Sequence, residues 1–79
     1  PRVSADRFEV GRRVALSQLK AGDLVFFRTG SDSSITHVGF YLGNGQFIHA
    51  PGKGKKVRIA RMENRYFADR YAGSRNYLD

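Results

Sequence analysis

The chain has 79 residues, no Cys and no Trp, and its 14 Lys and Arg against seven Asp and Glu give a formal net charge of +7. That length allows one thin domain, hiding only about 60% of the surface its unfolded form exposes, and the lack of Cys excludes disulfide staples, thiolate metal sites and a thiol nucleophile within these residues. Hydrophobic residues at 41%, with six Phe and four Tyr, argue against disorder, and no apolar run approaches the ~18 residues of a membrane span.

The opening Pro1-Arg2-Val3-Ser4 shows neither an initiator Met nor a signal-peptide pattern. A piece of a longer protein is therefore expected. Ser4 to Gly11 reads as a short helix: Ser4 can accept from the free N–H groups, Val3 and Phe8 fit a hydrophobic staple, and Gly11 supplies a left-handed stop. Leu19-Lys20-Ala21-Gly22-Asp23 is a turn into Leu24-Val25-Phe26-Phe27-Arg28, whose short aromatic run suits a buried strand. Thr29 to Thr36 is a polar surface loop.

His37 to Pro51 is a hairpin, with two strands flanking Gly43-Asn44-Gly45. A two-residue Asn44-Gly45 turn pairs Gly43 with Gln46 and sets Phe40 against His49. A three-residue loop pairs Leu42 with Gln46 and Phe40 with Ile48. In the second register Val38, Phe40, Leu42, Ile48 and Ala50 share one face, while His37, Gly39, Tyr41, Phe47 and His49 share the other. It separates apolar from polar better and makes the two imidazoles diagonal neighbours, so it is the expected one. Pro51 to Lys56 is then a basic loop, and Val57-Arg58-Ile59-Ala60 alternates like a strand. Glu63 to Arg70 fits a short helix with Tyr66 or Phe67 and Tyr71 facing inward, and Arg75 to Leu78 a last strand. With no repeat or low-complexity tract, the chain reads as a single unit of α+β class: a small, mainly antiparallel sheet with short flanking helices.

His37 and His49 are the candidate site residues, because a histidine pair on one hairpin face can supply a base, an acid, a ligand or an orienting group near neutral pH. The plainer account is two unrelated strand histidines. A metal would need a further ligand, and Asp23 stands in a turn where Asp is expected anyway, so neither metal nor cofactor is assigned. Ser33 and Ser34 precede His37 but lack a nucleophile-elbow pattern. Gly52-Lys53-Gly54-Lys55-Lys56 does not match the phosphate-loop spacing and reads as a solvated tip. Phe26, Phe27, Phe40 and Phe47 are core rather than a base-stacking platform.

The segment Leu19-x-x-Gly22-Asp23-Leu24-Val25-Phe26-Phe27, followed by His37-Val38-Gly39-Phe40-Tyr41-Leu42-Gly43-Asn44-Gly45-Gln46-Phe47-Ile48-His49-Ala50, resembles the NlpC-type cell-wall cysteine peptidases. Pro1-Arg2-x-Ser4 and Tyr66-Phe67-x-x-Arg70-Tyr71 look like the lipoprotein-type members of that group, so the likeness covers nearly the whole chain. It implies a papain-like fold and cleavage of peptidoglycan stem peptides after γ-linked D-glutamate. His37 would be the general base of a cysteine nucleophile and His49 the group that orients it, while Asp23 keeps a turn role. In the family the nucleophile lies in an Asp-Cys-Ser-Gly segment opening a helix just ahead of the Pro-Arg-x-Ser stretch. Residues 1–79 are therefore expected to be a single partial domain, the C-terminal portion of a peptidase domain, inactive alone. The Cys-bearing helix, in the same or a companion chain, would cover Val38, Phe40, Leu42 and Ile48, and a swapped assembly would be one way to supply it. An extracytoplasmic location (periplasm, outer-membrane lipoprotein or secreted) is implied by the same resemblance.

Two other classes compete. A non-catalytic module of the same fold, binding cell wall or another protein, is motivated by the missing Cys. A nucleic-acid binder rests only on charge, six basic and four acidic side chains in residues 1–50 against eight and three in 51–79, and no nucleic-acid partner is assigned. Peptidoglycan is rich in carboxylates, so the basic loop and the Arg58/Arg61 strand are candidates for holding substrate.

Overall fold

The computed structural model describes residues 11–31, 33–51 and 54–77. Six strands form one sheet: β1 (Arg12–Val14), β2 (Leu24–Phe27), β3 (His37–Gly43), β4 (Gln46–His49), β5 (Arg58–Arg61) and β6 (Tyr71–Asn76), in the spatial order β1-β6-β2-β3-β4-β5. Every pairing is antiparallel. A 3-10 turn at Leu16–Gln18 and one short helix, α1 (Arg65–Arg70), complete the described elements. The helix expected over Ser4 to Gly11 lies outside the described residues, apart from Gly11.

The hairpin takes its turn from one of the two expected registers and its strand pairing from the other. Asn44 and Gly45 both have positive φ (55° and 78°) and connect a Gly43–Gln46 pair, as a two-residue turn requires. Leu42 is then the extra residue of a β-bulge, and beyond it Tyr41 pairs with Phe47 and Phe40 with Ile48. The bulge restores the facing that the three-residue loop would have produced. Tyr41 Oη accepts a hydrogen bond from the Gly45 N–H at 2.8 Å, tying the turn to the strand beneath it.

Alternation along the strands divides the sheet into two faces. Val25, Phe27, Tyr41 and Phe47 form the core on the histidine side, with Leu19, Ala60, Met62, Phe67 and Tyr71 packed against them. Gly39 lies under this core: a Cβ there would sit 2.5 Å from Phe47 Cδ2, so only glycine lets the Phe47 ring cross the strand. On the opposite face Leu24, Phe40, Ile48 and Ile59 follow one another across four strands. Phe40 is 46% exposed and Ile59 58%. The apolar and histidine faces thus separate as expected, but the denser packing is on the histidine side.

The helix and the last strand differ from the sequence reading. α1 begins two residues after Glu63 because Asn64 caps it, its Oδ1 accepting from Tyr66 N–H at 2.9 Å. Phe67, rather than the exposed Tyr66, faces inward. The last strand starts at Tyr71, immediately after the helix, and inserts between β1 and β2. Gly73 marks a register irregularity inside it, opposite the Phe26–Phe27 step, rather than its beginning.

Candidate active site

His37 opens β3, and the residues just before it are fixed to β2. Thr36 N–H donates to the Phe27 carbonyl at 3.1 Å, and Thr29 N–H donates to Thr36 Oγ1 at 2.8 Å. His49 ends β4, held between β3 and β5. Because Tyr41 pairs with Phe47, His37 and His49 fall diagonally on one face, and their rings meet: His37 Nε2 lies 2.8 Å from His49 Nδ1. The ring planes are nearly perpendicular, at 89°, so an edge nitrogen of one ring addresses the edge of the other.

Aromatic rings wall the pair. Phe67 from α1 stacks on His37 at 24° between planes and meets His49 edge-on, with centroids 6.4 and 5.1 Å away. Phe27 and Phe47 close the floor, and Phe27, Phe47 and Phe67 pack on each other with centroids 5.1 to 5.2 Å apart. His49 is only 9% exposed. Both imidazoles are held below the ordinary histidine value of 6.5, first by burial. Charge on His49 adds to the effect at His37, and the Arg58 guanidinium adds to it at His49. The neutral form of each ring is thereby favoured. With the shared proton on His37 Nε2 and donated to His49 Nδ1, Nδ1 of His37 is the nitrogen able to take a proton from an incoming acid.

Asp23 stands apart from this chemistry. It is 1% exposed, and its carboxylate accepts from Lys20 N–H at 2.9 Å and from Asn76 Nδ2 at 2.7 Å, so it braces the turn and ties it to β6. Among the described residues no group of three His, Cys, Asp or Glu is placed to hold a metal ion. The wall residue Phe67 is the contribution least visible in the sequence. Helical spacing marks it as one of two inward candidates, but only the fold brings it onto both imidazoles.

The antiparallel sheet with an imidazole pair on one hairpin, His49 buried and His37 half-buried, is accompanied by a family match in the sequence. The NlpC/P60 family model matches residues 1–76, and the chain belongs to that family. It is 42% identical over 78 residues to the murein DD-endopeptidase MepS/murein LD-carboxypeptidase of Escherichia coli, covering 99% of this chain and 40% of that protein. It is 42% identical over 63 residues to the γ-D-glutamyl-L-lysine dipeptidyl-peptidase of Bacillus subtilis, 78% of this chain and 21% of that one. An NlpC/P60 family protein of Bacillus cereus superposes over the whole chain with a TM-score of 0.86 at 35% identity, using 26% of its own length. The chain thus spans two-fifths or less of the proteins it matches here.

Proposed function

We propose that this chain supplies the base and its orienting partner for a cysteine peptidase that cuts peptidoglycan stem peptides between γ-D-Glu and the diamino acid. The observation that carries the reading is the 2.8 Å contact between His37 Nε2 and His49 Nδ1. It engages the far nitrogen of His37 and leaves Nδ1 for a thiol. The relatives' names support peptidoglycan as the substrate; the γ-D-glutamyl-L-lysine dipeptidyl-peptidase supports the bond proposed, whereas the murein DD-endopeptidase is named for a different one. The nucleophile comes from a Cys-bearing segment outside these 79 residues, in a domain of papain-like architecture that acts outside the cytoplasm.

In this scheme the thiol proton passes to His37 Nδ1, and the resulting imidazolium donates through Nε2–H to His49 Nδ1. The thiolate adds to the scissile carbonyl, and the leaving amine takes the proton from His37 as the C–N bond breaks. Water then adds to the thioester, its proton returning through His37, and the carboxylate product and free thiol are released. His49 holds the imidazole plane and spreads the positive charge, as the third member of a triad does.

The test is hydrolysis of a γ-D-Glu-containing tetrapeptide, and of purified sacculi, by the full-length protein with an intact cysteine. Cleavage of the amide after γ-D-Glu is expected. Failure on both substrates refutes the enzymatic reading. The absence of cysteine from the chain supports a second reading, a cell-wall binding module of the same fold. Salt-sensitive retention on sacculi that survives substitution of either histidine is the result it requires.

A further inference from the structure

Arg58 stands directly across from His49 in the β4–β5 pairing, so the two side chains leave the same face of the sheet. It is exposed on the edge strand and makes no hydrogen bond or ion pair among the described residues. Other arginines nearby are committed. Arg28 donates to the Ser33 carbonyl at 2.7 Å, Arg61 pairs with Glu63 at 3.3 Å, and Arg70 donates to the Tyr66 carbonyl at 2.9 Å while lying 3.9 Å over that ring. A bare guanidinium beside His49 opposes the imidazolium that the proposed chemistry must form. A charge serving only to keep the edge strand from pairing with another chain is already provided by Arg61.

We propose that Arg58 is a specificity residue whose guanidinium takes a carboxylate of the acyl substrate at the rim of the imidazole pair. The inference rests on the endopeptidase reading above and names the feature of the substrate that the site reads. Guanidinium binds a carboxylate through two parallel N–H···O bonds, fixing orientation as well as position. A γ-linked glutamate keeps its α-carboxylate free, close to the amide to be cut, so an anion at Arg58 arrives together with the reacting bond. Once seated, it offsets the guanidinium charge felt by His49 and removes a penalty on the charged dyad. The site is thereby more receptive to positive charge when the correct substrate is present.

The experiment compares two tetrapeptides with the full-length enzyme, one with the γ-D-Glu α-carboxylate free and one with it amidated. For the free acid, Arg58→Gln is expected to raise KM roughly tenfold with kcat changed less than about twofold, as loss of a charge-assisted contact predicts. For the amide, Arg58→Gln should leave KM unchanged, and Arg58→Lys should fall between wild type and Gln on the free acid. Equal effects on the two peptides, or none, overturn the inference. If wild type cuts neither peptide, the catalytic reading falls and binding decides this one. The free-acid peptide must still shift the His49 ring resonances in wild type and not in Arg58→Gln. No shift in wild type, or the same shift in both, overturns it.

Discussion

In the proposed chemistry His37 and His49 divide their labour by which ring nitrogen each presents. With Nε2 of His37 committed to His49, replacing His37 removes the base outright, whereas replacing His49 leaves a base in a looser orientation. In the full-length enzyme His37→Ala is expected to lower kcat/KM by at least about 10³-fold, and His49→Ala by roughly 10–100-fold. Steady-state kinetics on the γ-D-Glu peptide separate the two, and equal losses would remove the distinction of roles. Titration gives a second check. Burial leads the causes that hold both imidazoles below 6.5, so below that pH the unfolded chain binds more protons than the folded one. This part of the stability is complete above pH 6.5 and is lost as pH falls through the folded values. Urea unfolding of the full-length protein should show a lower midpoint at pH 5 than at pH 7.5, and His37→Gln with His49→Gln together should flatten that slope.

At the scale of elements, β3, β4 and α1 act as one unit, and Gly39 and Phe67 are where it is most sensitive. Gly39→Ala forces the Phe47 ring off the strand, and a destabilisation of about 1–3 kcal/mol is expected from overpacking. Phe67→Ala uncovers both imidazoles. Beyond a loss of about 2 kcal/mol for the missing ring, it should move the histidine titrations back toward 6.5, measurable by proton NMR. A titration that stays put would mean the strands, not α1, desolvate the pair. The hairpin was legible because Asn44-Gly45 names its turn and alternating residues name its faces. Leu42 as a bulge was not, since nothing in a single strand's pattern marks an extra residue that its partner lacks. β1 and the place of β6 were also hidden: Arg12–Val14 is too short to show a period, and β6 becomes central only by pairing with strands far away in sequence. The imidazole pair itself followed from spacing plus register. Its aromatic wall needed α1, whose inward residue spacing left open between Tyr66 and Phe67.

For the molecule as a whole, the two faces of the sheet have different fates. The histidine face is packed and carries the proposed site, while Phe40, Leu42 and Ile59 leave a large apolar area exposed. Burying one such side chain is worth about 1.5–3 kcal/mol, so residues 1–79 expressed alone should associate as concentration rises. Sedimentation velocity over a hundredfold range should show it, and Phe40→Lys with Ile59→Lys should restore a monomer. A monomeric wild-type chain at high concentration would mean the face tolerates water. The hairpin carries a different consequence, in time rather than space. Only 12 positions separate His37 from His49, and hairpins of this kind close in about 1–10 μs. The acceptor nitrogen of the proposed chemistry is thus built from contacts local in sequence, whereas β6 reaches its place only through pairings with strands far from it along the chain. In the proposed enzyme only the thiol has to come from outside that hairpin.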